Sequence, residues 1–294
     1  MIYEISSKDL CVRIDSLGAQ LVSIKDNDGL EYIWQGNPNV WGKSSPILFP
    51  VVGRCRKGIL NIGGKDYEMP IHGFASGTEA KVIDKKRDMI VFLIKASSAT
   101  KKVYPFDFEF YVVFSVFEKK LTVTYKVVNK DKDDMYFGCG GHTGFNLKLT
   151  DEDKFENWDL VFEYDEPLWA NDTDMKEVEI SSSEKHEISR QGNAVHLKRE
   201  LFDNDAMIFE EIKSKVITLK NRKLNKSIIF GYADYPTIAV WTKARCDEAT
   251  YVCLEPWQSM GFRSGEGNTI EEKYDIVKLF PNDSRQYSYD IEIK

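Results

Sequence analysis

Two short stretches hold the side chains best suited to moving protons. Tyr251-Val252-Cys253-Leu254-Glu255-Pro256-Trp257 reads as an apolar strand that delivers one carboxylate. Alternation sends Val252 and Leu254 to one face and Cys253 and Glu255 to the other. A proline cannot donate to a central ladder, so Pro256 predicts that the strand stops there and leaves Glu255 at the lip of a sheet. Upstream, Cys139-Gly140-Gly141-His142-Thr143-Gly144-Phe145-Asn146 sets a histidine among small residues, where a bulky group has room to approach its ring. A carboxylate and an imidazole are the minimum for general acid–base catalysis.

Of the four histidines, His72 and His142 stand in unusual settings, whereas His186 and His196 lie among ordinary residues and read as structural or surface groups. His72 occurs in Met69-Pro70-Ile71-His72-Gly73-Phe74-Ala75, where the flanking proline and glycine predict a fixed turn with an open approach to the ring. Arg54 and Arg56 follow an apolar run and precede a turn. A guanidinium fork there suits vicinal hydroxyls or a carboxylate, and equally suits an ion pair at a strand end. Trp34, Trp41, Trp241 and Trp257 offer flat walls for the CH faces of a sugar, although each taken singly also fits a core position. The P-loop, Gly-x-Gly-x-x-Gly and Gly-x-Ser-x-Gly patterns are absent, which removes the main support for nucleotide hydrolysis, dinucleotide redox chemistry and that route of acyl transfer. The Asp-x-Asp pairs lack the rest of a calcium loop, and no clustered Cys/His spacing suggests zinc.

The elements that must position these residues are strands. Leu10–Asp15, Ala19–Ile24, Phe108–Phe114, Leu121–Val127 and Ser227–Tyr232 alternate with period two, and turn chemistry such as Asp26-Asn27-Asp28-Gly29 punctuates them. Long amphipathic helices are missing. The pattern predicts an all-β fold, a large antiparallel β-sandwich, as one domain over residues 1–294. The polar stretch Asn171–Glu187 is the least strand-like and reads as a long surface excursion.

Composition narrows the function classes. With 42% hydrophobic and 30% charged residues the chain is globular rather than disordered, and no apolar run approaches the ~20 residues of a membrane span. The net charge of −7, with acids and bases interspersed, disfavours nucleic acid as a partner. The five cysteines form an odd set without a Cys-x-x-Cys pair, which fits reduced thiols, and the first residues lack a signal-peptide pattern. Both point to the cytoplasm.

Several segments, in order, resemble the aldose 1-epimerase (galactose mutarotase) family, specifically its LacX-like branch. They are Leu48-Phe49-Pro50-Val51-Val52-Gly53-Arg54, Gly64-Lys65-Asp66-Tyr67-Glu68-Met69-Pro70-Ile71-His72-Gly73-Phe74-Ala75, Tyr104-Pro105-Phe106, Gly140-Gly141-His142-Thr143-Gly144-Phe145-Asn146, Leu201-Phe202-Asp203-Asn204-Asp205-Ala206 and Cys253-Leu254-Glu255-Pro256-Trp257. Together they cover nearly the whole chain. The resemblance implies a β-sandwich with a sugar site on its concave face and a reaction that needs no metal or coenzyme. It also implies that Glu255 is the base for the anomeric hydroxyl, His142 the acid for the ring oxygen, and His72 a second histidine that hydrogen-bonds the sugar. Arg54 is favoured over Arg56 because the Gly-Arg dipeptide matches the branch. Asp205 matches the position of a sugar-hydroxyl acceptor, with Asp203 in competition. The central motif is Gly-His-Thr-Gly-Phe-Asn in place of the family's Asn-His-Ser-Tyr-Phe-Asn. Two rival readings are an epimerase of a phosphorylated hexose, with Arg54, Arg56, Lys57 or Arg263 as its cationic pocket, and a carbohydrate-binding β-sandwich without catalysis. A glycoside hydrolase using Asp205 and Glu255 is a weaker third.

Overall fold

The computed structural model describes residues 1–174 and 179–294. Phe108–Phe117 and Lys120–Asn129 explain its architecture: each buries every second residue, and they pair antiparallel through the tight turn between them. Period-two burial of this kind gives a sheet one apolar face that must be covered. Among the described residues these strands belong to a nine-stranded sheet, and its cover is an eight-stranded one. The core between them takes Phe110, Tyr125 and Tyr289 from the first sheet and Phe145, Val252 and Leu254 from the second. This is the antiparallel β-sandwich expected from the alternation. Helical turns are short 3₁₀ pieces such as Arg199–Phe202, and no described helix is long and apolar enough to cross a membrane.

The eight-stranded sheet carries the chemistry. Its strands run in the order Glu179–Glu187, Trp169–Asp174, Met207–Glu210, Thr237–Trp241, Tyr251–Trp257, Gly140–Gly141 and Ile47–Leu48, with Thr143–Asn146 also paired to Tyr251–Trp257. Tyr251–Trp257 is buried on both faces, unlike the half-exposed strands of the other sheet. Val252 and Leu254 point into the inter-sheet core, while Tyr251 and Cys253 point into a second cluster with Trp34 and Val40.

Two expectations are corrected. Pro256 does not end its strand: it pairs with Ile238 inside the ladder, so Glu255 lies within the sheet and not at its lip. On the opposite side the neighbouring strand is interrupted between Gly141 and Thr143, so the ladder is already broken where proline lacks its N–H. The stretch Asn171–Glu187 is not a surface excursion over its described part. Trp169–Asp174 and Glu179–Glu187 pair as strands, and residues 175–178 of that expectation lie outside the described residues. Glu179–Glu187 heads the strand order, at a sheet edge whose outer side is met by a short bridge in which Ile180 bonds the backbone of Phe262 and Ser264. Polar side chains suit such an edge and conceal the alternation.

Candidate functional site

The pairing that joins Gly140 to Trp257 and Thr143 to Leu254 sets His142 opposite Glu255 across the break between the two short strands. Cross-strand neighbours of this kind project from the same face. His142 Nε2 accordingly lies 3.2 Å from Glu255 Oε1, with the carboxylate 2% exposed. Gly140, His142 and Gly144 alternate onto that face as well, and the glycines have a use other than an open approach. A Cβ at Gly144 would stand 2.8 Å from Cζ3 of Trp41, and one at Gly140 would stand 2.9 Å from Cδ1 of Trp257. The bare position at Gly144 therefore seats the Trp41 indole beside His142, and that at Gly140 makes room for the Pro256 carbonyl oxygen, 2.6 Å from such a Cβ, and for the edge of Trp257. The Trp41 ring stacks on the imidazole at 5.0 Å and 27°, and Trp241 meets it edge-on at 5.5 Å.

Around this pair opens a cavity of about 810 Å³. His72, Arg54 and Asp205 line it together with His142 and Glu255, so all five residues singled out in the sequence border one space. His72 occupies a left-handed turn at φ 62°, and Gly73 after it permits a close approach to the Phe49 carbonyl that no Cβ would allow. The backbone N–H of Gly53 donates to Nδ1 of His72 at 3.1 Å. Nδ1 is thus the acceptor, which assigns the proton of the neutral ring to Nε2. Asp205 is also left-handed, at φ 76°, and accepts a hydrogen bond from Trp241 Nε1 at 2.9 Å.

The competing positions lie elsewhere. Arg56 forms an ion pair with Glu179, and Asp203 is paired with Arg245 at 3.4 Å. Neither borders the cavity. Arg263 is taken up by Glu210 and lies over the Tyr274 ring. Trp41, Trp241 and Trp257 line the cavity, whereas Trp34 sits behind them, 4.8 Å from the Tyr251 ring. His186 and His196 are paired with Asp172 and Asp159.

Burial sets the electrostatics. It raises the Glu255 carboxyl well above its usual range, and the nearby Asp205 carboxylate adds to the effect. It lowers His142 well below the ordinary imidazole value, helped by His72 and Lys43. His72 is lowered to about 4 by burial and by the charges of Lys43 and Arg54. Burial also raises Asp205, against the opposing hydrogen bond from Trp241. The low-dielectric floor thus makes Glu255 a stronger base and His142 a stronger acid than either is in water. The ion-pair and neutral forms of this couple hold the same number of protons, so pH alone does not choose between them.

Two features escaped the sequence reading. Lys43 lines the cavity from the loop after Trp41, where nothing local sets it apart from other exposed lysines. Cys253, two residues before Glu255 on the same face, brings its Sγ, His142 and Glu255 within 4.8 Å of one another. That grouping joins residues far apart in the chain, so no spacing pattern signals it.

Known proteins resemble this chain over its whole length. The family model described as aldose 1-epimerase matches residues 1–271. The chain is 29% identical to the chromosomal Protein LacX of Lactococcus lactis subsp. lactis, covering 100% of this chain and 99% of that protein, and equally close to its plasmid counterpart. Among solved structures, a galactose mutarotase related enzyme from Lactobacillus acidophilus superposes with a TM-score of 0.95 at 29% identity, over 100% of this chain and 97% of that one. A galactose mutarotase-like protein from Lactobacillus casei gives 0.93 at 26% identity, with both chains covered fully at 100%.

Proposed function

This chain belongs to the aldose 1-epimerase family, and we propose that it interconverts the α and β anomers of an aldohexose by acid–base ring opening and reclosure. The observation that carries this reading is the 3.2 Å approach of His142 Nε2 to Glu255 Oε1 on the floor of an aromatic-walled cavity.

In the reacting form the proton of the pair is on His142 and Glu255 is a carboxylate. Glu255 takes the proton of the anomeric hydroxyl while His142 delivers its proton to the ring oxygen. The bond between C1 and the ring oxygen breaks, and an open-chain aldehyde forms. Rotation about C1–C2 presents the other face of the carbonyl. The protonated Glu255 and the neutral His142 then exchange roles, the ring closes, and both protons are back where they began. The raised carboxyl and lowered imidazole suit these roles, because each group is displaced towards giving up its charge. His72, neutral with its proton on Nε2, donates to the sugar and helps to polarise the ring oxygen. Arg54 donates to hydroxyls, Asp205 accepts from them, and Trp41 and Trp257 contact the CH faces.

The test is the decay of optical rotation of freshly dissolved α-D-glucose and α-D-galactose. Glu255→Gln and His142→Asn are each expected to lower the catalysed rate by about 10²–10⁴-fold while the fold is kept. A folded variant with near wild-type rates removes the role assigned to that residue.

A further inference from the structure

We propose that the aldose this site takes carries an anionic substituent, phosphate or carboxylate, held at the cavity mouth by Lys43 and Arg54. The inference rests on the aldose 1-epimerase reading and specifies its substrate class. Both cations line the cavity and both are exposed. Neither has a carboxylate partner among the described residues. Lys43 makes only a long bond to Ser76 Oγ at 3.4 Å, and Arg54 makes no ion pair. The arginines nearby in sequence or in space behave differently, Arg56 being taken by Glu179 and Arg263 by Glu210. In a chain of net charge −7, two cations left uncompensated at the mouth of one cavity mark a preference for a negative ligand.

The charges are also separated along the cavity. Gly53, next to Arg54 in the chain, donates to His72 Nδ1 at 3.1 Å, and Lys43 acts on both His72 and His142, while the Asp205 carboxylate acts on Glu255. His142 lies between, its ring 5.5 Å from that of His72 and its Nε2 3.2 Å from Glu255. The two acids that line the cavity therefore sit at the reacting end, where the anomeric hydroxyl must lose a proton. An anion at that end would be repelled, whereas at the His72 end it meets two cations. A pyranose with its anomeric carbon at Glu255 and an anionic group on its far side satisfies both. Neutral hydroxyls would use the directional donors of Arg54 but leave the ammonium charge of Lys43 without a counterpart.

The test compares the anomer exchange of D-galactose, D-galacturonate and D-galactose 6-phosphate by exchange NMR, each rate taken above that sugar's own uncatalysed exchange. The wild-type protein is expected to prefer at least one anionic sugar by about tenfold in kcat/KM, and that preference is expected to fall about tenfold in Lys43→Gln and with added salt. Preference for the phosphate alone identifies a phosphorylated aldose, and preference for galacturonate a sugar acid. Equal kcat/KM for neutral and anionic sugars, or an anionic-to-neutral ratio unchanged in Lys43→Gln, overturns the proposal. Should no sugar be interconverted, calorimetric titration separates the two readings. Binding of an anionic sugar that is weakened in Lys43→Gln upholds the cationic mouth while removing the epimerase reading, and no binding of any sugar removes both.

Discussion

Gly144 bears no chemistry, yet its substitution tests how the site is built. An ideal Cβ there lies 2.8 Å from Trp41 Cζ3, 3.0 Å from the Ser44 carbonyl oxygen and 3.4 Å from Trp34 Cβ. Carbon atoms settle at about 3.5–4.0 Å, so in Gly144→Ala the indole must retreat by about 0.7–1.2 Å. It has little room, because its faces are stacked on His142 at 5.0 Å and on Tyr251 at 5.2 Å. Overpacking of this size costs about 1–3 kcal/mol. For a chain of this length that lowers Tm by roughly 2–10 °C. Moving the imidazole by about 1 Å relative to Glu255 is expected to lower kcat by about 10²-fold. The assay pairs optical rotation with thermal unfolding. Gly231→Ala serves as the control, since a Cβ there meets only Asp290 at an ordinary 3.8 Å. Adding Trp41→Phe to Gly144→Ala removes the indole atoms that clash and is expected to restore part of the lost stability. Wild-type kcat and Tm in Gly144→Ala refute the view that this glycine seats Trp41 against His142.

Three further outcomes follow from the same geometry. The Asp205 carboxylate helps to raise Glu255, so Asp205→Asn lowers the Glu255 pKa. Because the base acts as a carboxylate, the acid limb of kcat/KM against pH is expected to move to lower pH, and an unmoved limb contradicts the coupling. His72 is held down to about 4 from an ordinary 6.5. The unfolded chain therefore binds its proton first, and stability falls as pH drops through that window, by up to about 3 kcal/mol and less for the exposed part of the ring. His142 shifts in the same direction, so His72→Asn should reduce, and not abolish, the difference between urea midpoints at about pH 7 and pH 4.5. Finally, Arg54→Gln is expected to raise the sugar KM by about tenfold with little change in Tm. Arg56→Gln is expected to do the reverse, leaving the buried Glu179 carboxylate short of a partner at a cost of about 1–3 kcal/mol. Equal KM effects would remove the distinction between the two arginines.

The sheet sandwich was legible in the sequence because strand periodicity is local. Leu10–Asp15 alternates in the sequence and forms a strand over that same span, and the runs at 108–114 and 121–127 lie within two paired strands. The types of the reacting groups were legible too, since Glu255 sits in an apolar run and His142 among glycines. Edge strands were not. Glu179–Glu187 needs no apolar face where it has few neighbours, so its polarity hid it. Pro256 misled for a related reason: its cost depends on what stands opposite, and opposite it the ladder is already broken. The resemblance had favoured Arg54 over Arg56 and matched Asp205 with Asp203 in competition, but the side-chain direction that brings Arg54 and Asp205 to the cavity is set at turns with left-handed residues, which residue type alone does not encode. The sequence alone determined the strands with an alternating apolar face and the ordered segments that mark the family. Only the tertiary structure decided that His142 and Glu255 face each other, because cross-strand register is set by long-range pairing and not by either segment alone.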